Sequence, residues 1–154
     1  MEYDQIALLQ SQLHDAKRLF DSTLHRLIRR WDLTENAFRI LYVLYSNPEG
    51  VEPAKIAELT NLLRPAVCPV LNKLDSQGMI TRKEQSGDHR RKLIALTPEG
   101  VRFVTGVKAE CLRIEGKAFS HFSPEEIQNL VTLFSRYTQC LQEEVNAKEK
   151  NRKE

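Results

Sequence analysis

The side chains with the clearest chemistry in this chain are basic and lie between residues 61 and 92. This block holds seven cations and three anions, a net charge of +4, whereas residues 1–60 carry −2 and residues 93–154 carry 0. The cations are Arg64, Lys73, Arg82, Lys83, Arg90, Arg91 and Lys92. Guanidinium and ammonium groups concentrated in one block bind phosphates, and arginine also reads guanine edges. The block therefore predicts a nucleic-acid-binding surface.

Catalytic and metal-binding patterns do not occur in the sequence. It contains no Gly-x-Ser-x-Gly, no phosphate loop and no dinucleotide fingerprint, and its four histidines form no His-x-x-x-His pair. The three cysteines, Cys68, Cys111 and Cys140, contain no Cys-x-x-Cys pair. We expect Cys111 and Cys140 to be small buried thiols on apolar helix faces. The sequence thus predicts a protein that is not an enzyme, with no cofactor and no metal.

Size and composition favour one soluble domain. The chain has 154 residues, of which 41% are hydrophobic, and no run of eighteen apolar residues that would span a membrane. Its acidic N-terminus lacks the basic-then-apolar order of a secretion signal. We expect a cytoplasmic protein.

Long amphipathic helices are predicted on both sides of the basic block. One stripe at spacings of three and four consists of Ile6, Leu9, Leu13, Ala16, Phe20, Leu24, Leu27 and Trp31. Two further stripes run over 101–118 and 127–145, the latter preceded by a capping box of Ser123 and Glu126. We expect residues 146–154 to fray. Because narrow stripes need partner helices, we expect a two-fold dimer.

Between these helices the pattern is helix, turn, helix and hairpin. Thr34 is placed to cap an apolar helix, and Pro53 begins a short helix with Ile56, Ala57 and Leu59 facing inward. A second short helix over 64–77 ends at a glycine and buries four apolar residues, Val67, Val70, Leu71 and Leu74.

Strands over 79–83 and 93–96 follow, joined by a tip of seven to nine residues that carries the cations. The predicted fold class is mostly α with a small β-hairpin wing: a winged helix-turn-helix over 33–97, flanked by dimerisation helices over 1–32 and 98–145. Thr97-Pro98, an N-cap hydroxyl followed by proline, joins the wing to the next helix.

Several spacings resemble those of the MarR (multiple antibiotic resistance regulator) family of transcription factors. The similarity is carried by Asp88, Arg90, Leu96-Thr97 and Gly100, and by a segment over 71–82 that looks like the exit of a recognition helix into the wing. The resemblance implies a homodimer that binds a near-palindromic site in double-stranded DNA, with recognition helices in successive major grooves and wings in the flanking minor grooves. It also implies a repressor released by a small, often aromatic, ligand.

On this basis Arg90 is predicted to enter the minor groove. Asp88 is predicted either to orient Arg90 or to pair with Arg82 at the hairpin base. His89, Arg91 and Lys92 are predicted to contact phosphates and not to read bases, and the alternative for Arg90 is a solvated cation at the hairpin tip.

On the recognition helix we expect Arg64 to reach a guanine edge, Asn72 an adenine and Lys73 a phosphate. Thr60 and Asn61, at the turn, are predicted phosphate contacts. The full predicted DNA-binding set is Arg64, Ala66, Cys68, Asn72, Lys73, Thr60, Asn61, Arg82, Asp88, His89, Arg90, Arg91 and Lys92.

Three features leave alternatives open. Pro69 either kinks the recognition helix or is a tolerated early irregularity, which we favour. Cys68 is either a plain surface residue or an oxidant-responsive thiol. A set of four aromatic residues either lines a ligand cavity or belongs to the core: Trp31, Phe38, Tyr42 and Tyr45. A winged-helix protein-interaction module is the alternative to a DNA-binding regulator.

Overall fold

A computed structural model of the chain describes residues 2–85 and 88–151, without the side chains of 84, 85 and 88–91. The described elements are α1 (Tyr3–Ile28), α2 (Glu35–Tyr45), α3 (Pro53–Thr60), α4 (Arg64–Ser76), β1 (Ile80–Gln85), β2 (Asp88–Leu96), α5 (Pro98–Phe119) and α6 (Pro124–Asn151), with a 3-10 turn at Arg29–Trp31. The mostly α fold with a small hairpin, predicted from the sequence, is confirmed.

The chain divides into two compact units, Met1–Cys111 and Leu112–Glu154, with the division inside α5. The first unit contains the core, in which Ile40, Leu44, Ile56 and Ile94 are fully buried. The second unit contains the end of α5 and all of α6, and none of its described residues is fully buried. Among the described residues, no helix is both long and apolar enough to cross a bilayer.

Helix boundaries follow the local capping signals. The Thr34 hydroxyl accepts a hydrogen bond from the Ala37 amide at 3.2 Å and begins α2. Ser123 and Glu126 form the reciprocal capping box of α6, at 2.7 and 3.2 Å. Residues 146–151 are helical where the sequence predicted fraying, because lysine, glutamate and alanine favour a helix even without an apolar partner.

The hairpin is longer than predicted, which moves the basic cluster. β1 and β2 pair from Ile80 opposite Leu96 to Gln85 opposite Asp88, with an irregularity at Glu84/Gln85. The backbone of 88–92 is therefore on β2, with Lys92 opposite Glu84 and Asp88 opposite Gln85 across the irregularity. The predicted Gly87 turn lies outside the described residues. The backbone amides of Val51 and Ile94 each donate to the other's carbonyl, at 2.8 and 2.9 Å, and hold β2 against the segment before α3.

Two burial predictions are wrong, for Leu59 and Cys140, and that for Cys111 holds in part, since Cys111 packs against the core. Ile56 and Ala57 of α3 are buried as predicted, but Leu59 is 49% exposed and Thr60, only 5% exposed, is buried in its place. In an eight-residue helix the packing against neighbouring helices decides which side is buried. The Cys140 thiol is exposed and that of Cys111 is only partly buried.

Candidate nucleic-acid interface

Helix α4 presents one face to solvent because its other face is anchored in the core. Val67, Leu71 and Leu74 are at most 2% exposed and recur at helical spacing. The exposed residues of α4 are Arg64, Pro65, Cys68, Pro69, Asn72, Lys73, Asp75 and Ser76. Pro65 is in the first turn of α4, and the helix continues through Pro69 without a break. The predicted contacts Arg64, Cys68, Asn72 and Lys73 thus share one surface, with Ala66 partly buried beside it.

Arg82 of β1 joins this helix to the wing. Its Nε lies 3.0 Å from Oδ2 of Asp75, and its Nη2 donates to Oδ1 of Asn72 at 2.8 Å. Asp75 of α4 is therefore a partner of Arg82. From the sequence, Asp88 of the hairpin was the acidic partner considered for Arg82. No spacing rule links Asp75 to a residue seven positions on, so only the approach of strand to helix reveals the pair. The side chain of Asp88 lies outside the described residues.

Lys73 is near a second acidic group. Its Nζ is 3.9 Å from Oδ2 of Asp32, whose backbone is left-handed at φ 54°. Beneath this pair lies an apolar cavity of about 210 Å³, to which Leu33 and Val70 contribute. The start of α2 and the middle of α4 are thus adjacent on either side of the cavity.

The wing is tied to α5 through Thr97. Its hydroxyl donates to the Gly78 carbonyl at 2.7 Å and accepts from the Gly100 amide at 3.0 Å, which confirms the predicted N-cap. A Cβ on Gly100 would lie 2.0 Å from the Met79 carbonyl oxygen. The chain before β1 and the start of α5 therefore touch backbone to backbone.

Two predicted contacts at the helix-turn-helix turn have different surroundings. The Thr60 side chain is buried and its hydroxyl donates to the Ile56 carbonyl at 2.6 Å. Thr60 is therefore removed from the predicted phosphate contacts, because its hydroxyl is used inside its own helix. Asn61 is exposed and ends α3 in a left-handed conformation.

The wing cations are described only in part. Lys92 is exposed, and the backbone of His89, Arg90 and Arg91 lies on β2. The side chains of these three residues lie outside the described part of the structure, and their predicted contacts stay predictions.

The predicted aromatic set is brought together only in part. The Phe38 and Tyr42 rings are 6.4 Å apart and border a groove of about 280 Å³ with Leu59, whereas Trp31 is not part of its lining. Lys108 Nζ lies 5.1 Å from the Tyr42 ring centre and 4.3 Å from that of Tyr45. Sequence reasoning missed Lys108, because only packing of α5 on α2 reveals this contact.

Residues 2–85 and 88–151 contain no group of three or more His, Cys, Asp or Glu side chains suited to a metal ion. The candidate interface consists instead of the exposed face of α4 and the neighbouring hairpin, with the cations Arg64, Lys73 and Arg82.

Comparisons with known proteins agree with this geometry. Residues 31–91 match the model of the MarR family. A repressor of the homoprotocatechuate degradative operon from Escherichia coli is 26% identical over 132 residues, covering 86% of this chain and 85% of the relative. An S. aureus MepR mutant solved with an oligodeoxyribonucleotide has a TM-score of 0.58 at 23% identity, covering 91% of this chain and 99% of that one. NadR, solved with 4-hydroxyphenylacetate, has a TM-score of 0.65 at 21% identity, covering 89% and 93%.

The fold and the structural neighbours define the class as a winged helix-turn-helix fold. Within that fold, residues 31–91 resemble the MarR family.

Proposed function

We propose that this chain is a homodimeric repressor that binds a near-palindromic operator in double-stranded DNA. The observation that carries the proposal is the exposed face of α4. This face points to solvent because Val67, Leu71 and Leu74 on the other side are buried, and Arg82 connects the helix to the wing. A helix held in this way fits the major groove, and its N-terminal residues reach base edges. The wing strand then brings Arg90 and its neighbours to the flanking minor groove and phosphates.

The comparisons support the proposal. The MepR neighbour was solved with DNA, and the E. coli relative is named as a repressor. Repression fits a protein that occupies an operator until a signal removes it.

The test is selection of bound fragments from genomic DNA by the purified full chain, followed by titration of the selected site. We expect enrichment of a near-palindromic site, and affinity that falls steeply with salt because phosphate contacts release counterions. Arg90→Ala lowers affinity for that site while the dimer persists. Arg136→Ala, which removes one charge from α6, is the matched control. Absence of any enriched sequence contradicts the proposal and favours a protein-interaction module.

A second proposal concerns release of the DNA. We infer that a small aromatic anion binds beside Tyr42 and Tyr45, where the Lys108 ammonium lies over both rings. An ammonium group attracts a carboxylate, and the ring faces offer an apolar surface to an aromatic body. The NadR neighbour, solved with 4-hydroxyphenylacetate, supports a ligand of this class.

A further inference from the structure

The exposed face of α4 changes in chemical character along its length. In the first two turns the exposed residues after Arg64 are Pro65, Cys68 and Pro69, which we call the apolar patch. Polar residues follow in the later turns, where Asn72, Lys73, Asp75 and Ser76 are exposed, and Asp75 is paired with Arg82. Positions three and four apart are neighbours on a helix, so the patch is a continuous surface.

The later polar residues already have partners within the protein. Asn72 accepts a hydrogen bond from Arg82 at 2.8 Å, and Lys73 lies 3.9 Å from Asp32. Ser76 donates to the Lys73 carbonyl at 2.8 Å. These contacts hold the second half of α4 in place and reduce its freedom to adapt to base edges.

The apolar patch has little hydrogen-bonding capacity. Proline side chains carry neither a donor nor an acceptor, and a thiol is weak in both roles. Among unmodified bases in the major groove, thymine alone presents a methyl group, which apolar side chains contact. The patch therefore complements thymine methyls and not the polar edges of guanine or cytosine.

We propose that Pro65, Cys68 and Pro69 select thymine by contact with its methyl group, while Arg64 supplies hydrogen bonds beside them. This inference rests on the proposed DNA-binding function. DNA is the occupant because the same block of the chain carries a net charge of +4, which complements a phosphate backbone. The patch and Arg64 belong to the end of the helix that reaches base edges in helix-turn-helix proteins.

The experiment replaces single thymines of the selected operator by deoxyuridine, which removes the methyl group and keeps every hydrogen-bonding atom. Binding of the full chain is measured by fluorescence anisotropy at fixed salt. We expect at least one thymine in each half-site at which uracil weakens binding about fourfold, the factor expected for loss of one buried methyl-sized group. Uracil at thymines outside the half-sites leaves affinity unchanged.

Variants assign the effect to the patch. Cys68→Ser and Pro69→Ser replace apolar contacts by hydroxyl groups, and each reduces the ratio of uracil to thymine dissociation constants towards one at its own position. Cys140→Ser, the same change at an exposed cysteine of α6, keeps the ratio of the unmodified protein. The ratio is independent of any overall loss of affinity or stability.

The outcomes separate the two proposals. If no DNA sequence is selected, the proposed function fails and this inference fails with it. A selected operator that binds equally well with uracil at every position overturns methyl recognition alone. A uracil effect that survives Cys68→Ser, Pro69→Ser and Pro65→Ser alike belongs to residues outside the patch and also overturns the inference.

Discussion

At the scale of single residues, Arg82 is the clearest case of a side chain whose role depends on its partners. Its bonds to Asp75 and Asn72 connect strand β1 to helix α4. The pair with Asp75 is partly exposed, and such pairs stabilise proteins little. We therefore expect Arg82 to fix the positions of the wing and of the Asn72 side chain more than it stabilises the fold.

Arg82→Ala is expected to weaken DNA binding about tenfold, which corresponds to roughly 1.4 kcal/mol of lost preorganisation. Its effect on the free energy of unfolding stays within about 1 kcal/mol, as for other exposed pairs. Affinity is measured by anisotropy and stability by urea unfolding. Arg102→Ala is the control, since it breaks an exposed pair with Glu99 within α5 that joins no separate elements. Equal loss of affinity in both variants would contradict a specific role for Arg82.

Lys108 carries the ligand prediction at this scale. We expect 4-hydroxyphenylacetate to raise the melting temperature of the unmodified protein, because a ligand that binds only the folded state stabilises it. Lys108→Met keeps a long side chain but removes the ammonium, and the shift is lost. Lys117→Met, the same change at the end of α5, keeps the rise in melting temperature. No shift with the unmodified protein counts against this ligand class.

At the scale of elements, local signals predicted where helices begin. Thr34, Thr97 and the Ser123–Glu126 pair act on backbone amides within three residues, so sequence spacing suffices to recognise them. The burial of Thr60 in place of Leu59 was not predicted, because the packing of neighbouring helices decides which of the two side chains is buried. The length of the hairpin also escaped prediction, since polar strand residues are held by cross-strand hydrogen bonds.

The junction of wing and α5 is predicted to tolerate no side chain at Gly100. Gly100→Ala places a Cβ against the Met79 carbonyl and lowers the free energy of unfolding by about 1–3 kcal/mol, as overpacking does elsewhere. Gly106→Ala, on the same helix with nothing within 4 Å of the new Cβ, raises it by about 0.5–1 kcal/mol. Urea unfolding measures both. A neutral Gly100→Ala would show that α5 and the wing can move apart without loss of stability.

At the scale of the whole molecule, α6 leaves an apolar stripe uncovered in the single chain. The stripe residues are 41–62% exposed: Leu130, Phe134, Tyr137, Leu141 and Val145. Exposed apolar surface of this extent marks an interaction surface, and a second copy is the simplest closed partner.

We expect the chain to sediment as a dimer and Phe134→Glu to weaken the dimer at least about tenfold, because a carboxylate would have to lose water on association. Thr132→Glu adds the same charge on the other side of α6 and leaves the dimer intact. Sedimentation equilibrium measures both. A dimer insensitive to Phe134→Glu would exclude this stripe from the interface.

The sequence alone determined the order of elements, the caps and the identity of the basic block, because these depend on neighbours within a few residues. Its resemblance to the MarR family, carried by Asp88, Arg90 and Gly100, was confirmed by the comparisons. Tertiary structure decided which groups meet across the chain: Arg82 with Asp75, Lys108 with two tyrosines, and Gly100 with the Met79 carbonyl. Such contacts depend on how helices and strands pack, which no local pattern of residues specifies.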